Sequence, residues 1–387
     1  MPRDKGIQVV HHLTANDTIR IERRIYWYVG EGTDNRVDRW LGIADSNLSV
    51  AARELCCLVG VANGFCKAAA ALKKLGQIEI SAERLRTVVE KEGLKMLQVR
   101  RQAVLRPDWD ASDCTVAGGK TQVLVGGDGV MVPVITAAEK AKRRAGRKAV
   151  RWRGKAGRRR PRHRGADQGW KEFKIGLFYS ADKEHCWAFA TKGNHEQFGC
   201  QLRREAGLIR LGRADQKASI TDGAEWLGRQ MRTRLPMLDE TILDFYHFAE
   251  HVAGASAVCW GLGSVEAQGW TTQVLHRARH EGALAVLEEI AAARTSVRAK
   301  AKREALSGLK QYVAKRIAMM DYPKFILAGY DIGSGPTEAK CKTVPARLKG
   351  SGMRWNLPNA EAMAALACVD QSNMLEAYWS LQRQRVA

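Results

Sequence analysis

The run VLVGGDGVMVPVI at positions 123–135 constrains the fold more than any other stretch. Its valines favour extended backbone, and its three glycines oppose a helix, so it reads as an apolar strand interrupted at Gly126-Gly127-Asp128-Gly129. Two more strands are expected at Glu172–Ser180 and His185–Thr191. A charged helix over His195–Leu211 follows, then a short strand Lys217–Thr221, a helix Ala224–Thr233 and a fifth strand Glu240–Tyr246. Three strands in hairpin order, then helices alternating with strands, describe an α/β chain with a mixed sheet. From Phe248 to about Met320 the apolar period is helical throughout, giving at least two long helices rich in Ala, Leu, Glu, Arg and Lys. Another helix starts at Pro336, and a C-terminal one covers about 359–383.

Residues 1–112 read as a separate, mainly helical module. Thr18–Val29 alternates like a strand, and Phe65–Leu75 is an alanine-rich helix. Ser81 caps a second helix, Ala82–Glu92, with Gly93 after its end. Two short helices around a glycine turn suggest a helix-turn-helix that would face Arg84 and Arg86 toward DNA, although any antiparallel helix pair looks similar. The expected divisions are therefore 1–112, a sheet core over 113–247, a helical insertion over 248–330, and a last part over 331–387.

Sixty-three Lys and Arg against 41 Asp and Glu leave a formal charge of +22. An excess of this size points to a polyanionic partner, because neutralising phosphates releases condensed counterions. Fourteen of the 25 residues in 140–164 are Lys or Arg and none is acidic. Arg158, Arg159 and Arg160 belong to this segment, which reads as a mobile arm gripping DNA nonspecifically. No apolar run reaches the ~18 residues of a membrane span, and no apolar signal core follows the N-terminus. A cytoplasmic, nucleoid-associated protein without membrane contact is expected. The nine cysteines form no Cys-x-x-Cys, which suits reduced thiols and gives no zinc finger.

Three carboxylates stand at junctions where metal chemistry is plausible. Asp128 interrupts the first strand between glycines, Asp222 ends the fourth strand before Gly223, and Glu338 lies in a first helical turn after Gly333-Ser334-Gly335-Pro336. Magnesium takes oxygen ligands and keeps several waters, so a few converging carboxylates suffice for a two-metal phosphodiester site. Each also has a plainer reading, Asp-Gly as a turn dipeptide and Glu338 as a partner of the helix dipole. His247-x-x-x-His251 and His276-x-x-x-His280 put imidazoles on one helix face without an evident third zinc ligand. Arg347, Lys349, Arg354 and Trp355 form a basic and aromatic cluster that would grip phosphates and stack an unpaired base, or simply end a helix on a packed indole. Trp27, Trp109, Trp170, Trp187, Trp226 and Trp260 are assigned to core packing.

Four segments carry a resemblance to a family: Gly127–Val130, Thr221–Trp226, Leu243–His247 and Ile332–Ala339, the last continuing through Cys341–Thr343 and Arg347–Trp355. They resemble bacterial insertion-sequence transposases of the DDE class, in particular the ISKra/ISLre type, and more distantly Mutator-like enzymes. The resemblance spans about 18–380 and is most specific over 333–355. It implies an RNase H-like core with a helical insertion, and Asp128, Asp222 and Glu338 as a catalytic triad holding two Mg2+ or Mn2+ ions. Ninety-four residues separate Asp128 from Asp222, and 116 separate Asp222 from Glu338. Asp244-x-x-His247 resembles a signature at the start of the insertion, which would give His247 a supporting role at the site. The implied partners are double-stranded transposon ends and target DNA, with a homodimer or larger assembly holding two ends. Another RNase H-fold nuclease such as a resolvase, or a non-catalytic DNA-binding protein, is the alternative.

Overall fold

The computed structural model describes all residues except 1–2, 31, 35–37, 39–46, 137, 143–144, 146–167, 351–352 and 385–387. Arg158, Arg159 and Arg160, and most of the basic segment 140–164, thus lie outside the described residues. The chain divides into two units. One comprises Met1–Arg106, Met131–Glu172 and Thr343–Ala387; the other comprises Pro107–Val130 and Phe173–Lys342.

In the first unit, β1 (Arg3–Leu13), β2 (Thr18–Tyr28) and β3 (Gly32–Asp34) form an antiparallel sheet in chain order. The alternation in β2 is legible in the sequence; β1, facing solvent over most of its length, is not. Helices α1 (Val50–Ala62), α2 (Phe65–Gly76) and α3 (Ala82–Arg101) follow. Ser81 caps α3 as its sequence predicts, accepting a bond from the Arg84 amide. Gly93 does not end that helix. It sits inside it, where a Cβ would come within 2.7 Å of the Ala362 carbonyl oxygen, so the glycine marks a close helix crossing. The partner is a buried helix, α13 (Leu357–Asp370), in which Ala360 to Val369 are all covered. Short α12 (Ala346–Lys349) precedes it, and α14 (Leu375–Gln384) follows a break at Asn373, whose φ is 56°. The expected single C-terminal helix is therefore two.

A five-stranded mixed sheet of order β6-β5-β4-β7-β8 forms the core of the second unit, the residues of its strands within Met131–Glu172 being assigned to the first. Its strands are β4 (Gln122–Ile135), β5 (Gln168–Ser180), β6 (Cys186–Thr191), β7 (Gln216–Thr221) and β8 (Glu240–Leu243). The chain lays down β4, β5 and β6 outward in one direction, then returns to the other side of β4 for β7 and β8. Strands β5 and β6 are antiparallel, while β7 runs parallel to both β4 and β8. Val123, Leu124 and Val125 are fully buried, as expected of a central strand covered on both faces.

Helices α4 (His195–Leu208) and α5 (Glu225–Arg234) pack together beside this sheet. Asn194 and Gln197 close a reciprocal capping box on α4. The helical region resolves into α6 (Phe245–Trp260), α7 (Val265–Glu281), α8 (Ala283–Ser296) and α9 (Lys300–Ala314), then α10 (Tyr322–Leu327) and α11 (Gly335–Thr343). The fifth strand is shorter than its sequence suggests. It stops at Leu243, because Asp244 takes the N-cap of α6 and accepts bonds from the Tyr246 and His247 amides. Trp187 is buried, with its indole N–H donating to Glu205 at 2.8 Å. Trp170 departs from its core assignment: it lies 57% exposed near the start of β5. Among the described residues, no helix is long and apolar enough to cross a membrane.

Candidate active site

Strand register aligns the candidate carboxylates. The β4–β7 ladder pairs Val125 with Ser219, an offset of 94 residues, and the same 94 separates Asp128 from Asp222. The β7–β8 ladder pairs Thr221 with Leu243, and continues into Asp222 and Asp244 through a bond from the Asp244 amide to the Thr221 carbonyl at 2.8 Å. Asp128, Asp222 and Asp244 therefore fall in one row beyond the paired ends of three adjacent parallel strands, which neighbour one another at about 4.8 Å. The row crosses the gap between β4 and β7, where the strand order reverses. The row lies just past the carboxyl ends of β7 and β8 and beside the middle of β4, which runs on to Ile135; in open α/β sheets the crevice at such a reversal is where ligands bind.

The segment that carries Glu338 packs against this region through its neighbours. Glu338 sits in the first turn of α11. Its neighbour Thr337 is buried against Gly126 of β4, where a Cβ would fall 1.8 Å from the Thr337 hydroxyl oxygen. Gly126 thus makes room for the start of helix α11. The Phe245 amide donates to the Ile332 carbonyl at 2.9 Å, the Ser334 hydroxyl donates to Asp244, and the Glu338 amide donates to the Ser334 carbonyl at 3.0 Å. The stretch 332–338 is thereby tied to the Asp244 end of the row.

Each carboxylate makes a local contact. Asp128 accepts from the Gly129 amide, and Asp222 accepts from the Ala224 amide at 2.9 Å. Glu338 is exposed and pairs with the Lys342 ammonium at 2.5 Å. Among the described residues, no three His, Cys, Asp or Glu side chains are arranged around one ion position. The carboxylate oxygens of Asp128, Asp222 and Glu338 belong to the donor class that a hard divalent cation takes.

Two residues of the helical region that the sequence did not single out complete the surroundings. The Tyr312 hydroxyl donates to the Asp222 carbonyl at 3.4 Å. Arg316 donates twice to the Gly223 carbonyl, at 3.2 and 2.8 Å, and its guanidinium lies 4.0 Å from the centre of the Tyr312 ring. Gly223 has φ of +79°, so the turn after Asp222 requires glycine. Burial pushes the Tyr312 phenol up to about 12, against the pull of Arg316, with Asp222 and Asp244 adding to the rise. Burial likewise raises the Tyr179 phenol, with Asp331 and then Asp244 adding to it.

His247 and His251 face one another with Nε2 atoms 3.3 Å apart, and His251 stacks on Tyr312. Burial, then His247 and Arg316, hold the His251 pKa below its ordinary value. His276 and His280 also lie side by side, with ring centroids 4.5 Å apart.

The remaining predicted contacts lie in the first unit. Arg84 donates to Asn47, and Arg86 is held by Glu83 and Glu90. Arg347 is buried between Phe65 and Trp355 and donates to the Gly60 carbonyl; burial pulls its pKa down. Trp355 is 6% exposed and offers no open face for stacking a base, so the packed-indole reading holds for it. Lys349 and Arg354 are exposed. Compared with known proteins, the chain matches no family model and no curated protein.

Proposed function

We propose that this chain is a DDE-class DNA transposase whose second unit is an RNase H-like core with a helical insertion. The observation that carries this reading is the row Asp128–Asp222–Asp244 at the reversal of strand order, with Glu338 brought toward it by the Thr337–Gly126 contact. The net charge of +22 adds a reason to expect a polyanionic substrate.

Asp128, Asp222 and Glu338 would hold two divalent ions as oxygen ligands, Glu338 turning away from Lys342 to do so. Such ions, when bound, lower the pKa of a coordinated water and neutralise charge on a leaving oxygen. The protein's own part is positioning. Gly223 is fixed by Arg316, Asp244 caps α6 while binding Ser334, and the stretch 332–338 carries Glu338 along with that bond. Transposon-end DNA is the expected substrate, and synapsis of two ends implies a dimer or larger assembly.

The test uses duplexes containing the repeats that flank the coding sequence, with magnesium present and products mapped at nucleotide resolution. Asp222→Asn is expected to lose strand cleavage and keep DNA affinity. Cleavage by that variant at the parental rate would remove the catalytic assignment.

A further inference from the structure

Beside Asp222 the second unit contains a cavity of about 690 Å³, lined by Gly223, Ala224 and Glu225, by the α5 residues Trp226, Arg229 and Arg232, and by Lys315 and Arg316 after α9. Its wall includes His195 stacked on Trp226, with ring centroids 4.6 Å apart and planes 13° from parallel. Arg229 is engaged by Glu196, and Arg316 by the Gly223 carbonyl. Arg232 and Lys315 are exposed at the surface of the cavity. Among the described residues, the only acid lining it is Glu225, which lies 3.6 Å from Lys315. The lining is thus cationic, with an aromatic wall, and Gly223 connects it to Asp222.

This combination matches how single-stranded nucleic acid is held, cations along the backbone and rings beside the bases. The volume lies within the ~300–1,000 Å³ of pockets that enclose one small ligand. It can take one or two nucleotides, whereas a duplex presents a surface far too broad to enter.

We propose that this cavity receives an unpaired nucleotide at the end of the DNA strand lying along the aspartate row, with its phosphates on Arg232 and Lys315. The proposal rests on the transposase reading and adds that substrate is held partly as single strand. A blunt duplex would then lack a contact that a duplex with a short overhang makes.

The experiment measures binding of full-length protein to a fluorescent blunt duplex and to the same duplex with a two-nucleotide overhang, across a salt series without divalent ions. Arg232→Glu/Lys315→Glu is compared with Lys300→Glu/Arg279→Glu, which makes the same charge change on residues that do not line the cavity. Lys300 opens α9, so it stands about 22 Å along the helix from Lys315 at 1.5 Å per residue. Parental protein is expected to prefer the overhang, and only the first variant to lose that preference. For the overhang substrate, the slope of log affinity on log salt is expected to fall by about 1.4, at roughly 0.7 per single-strand phosphate. Equal parental binding to both substrates would overturn the cavity assignment and leave the transposase reading standing. So would an unaltered preference in the first variant. No parental DNA binding at all would overturn both.

Discussion

Gly126 shows how a single missing methyl can decide whether two distant parts of a chain meet. The Thr337 hydroxyl occupies the place a Cβ would need, so Gly126→Ala must displace either β4 or the start of α11. The variant is expected to lose about 1–3 kcal/mol of stability, the usual cost of overpacking, and to lose cleavage along with it. Thermal unfolding and a cleavage assay check this; Thr337→Gly in the same background should recover part of both. Arg53 and Glu92 supply a second case, paired at 2.7 Å within the first unit, with side chains only 7% and 1% exposed. Tyr378 donates to the other Glu92 oxygen at 3.1 Å. Arg53→Ala would leave a buried carboxylate with one ion-pair partner gone, and should cost about 3–5 kcal/mol. Denaturant unfolding reads that loss directly, and a change below 1 kcal/mol would mean that water or Lys95 takes over.

At the scale of elements, the sequence conveys what is periodic or punctuated and misses what depends on contact between remote segments. The β4 run, the Ser81 cap, α5 and the alternation in β2 are legible because each is decided within a few residues. The glycines beside Asp128 and Asp222 stand out in the sequence for the same reason, although Asp128 lies within β4 and Asp222 just past the end of β7. The end of β8 is misread because Asp244 suits an extended strand as well as an N-cap, and only Ser334 and the turn of α6 settle which. Trp355 looks like a stacking platform in a basic segment because nothing nearby reveals that Phe65 and Arg347 enclose it. Tyr312 and Arg316 carry no local signal at all, since 90 or more residues separate them from the turn they hold. Their role is testable apart from the carboxylates. Arg316→Ala should loosen the turn after Asp222 and lower the cleavage rate about tenfold or more, as misplacing a reacting group typically does, with DNA affinity changed much less. A parental rate would show that the Gly223 turn holds itself.

Across the whole molecule, the groups that titrate on the acid side couple the fold to pH in one direction. His12 and His251 have pKa values held below the ordinary 6.5, for both mainly by burial. The unfolded chain therefore takes up protons first as pH falls below about 6.5, and stability drops through the window between that value and the lower folded one. The carboxylates act lower down. Glu196 is held below its ordinary 4.5 by bonds from Arg234 and Gln230, and Asp215 below its ordinary 3.8 by bonds from Thr121. Their stabilising contribution is complete above those ordinary values and is lost as pH falls through the folded ones. Both classes have the same sign, so acidification should destabilise in two steps, a first below about pH 6.5 and a second below about pH 4.5. Because the histidines belong to different units, His12→Asn and His251→Asn should each remove part of the first step independently, and their effects should add. Melting temperatures measured from pH 8 to pH 3.5 check the sequence of events; a flat profile between pH 7 and pH 5 would show that neither imidazole changes its protonation preference on folding.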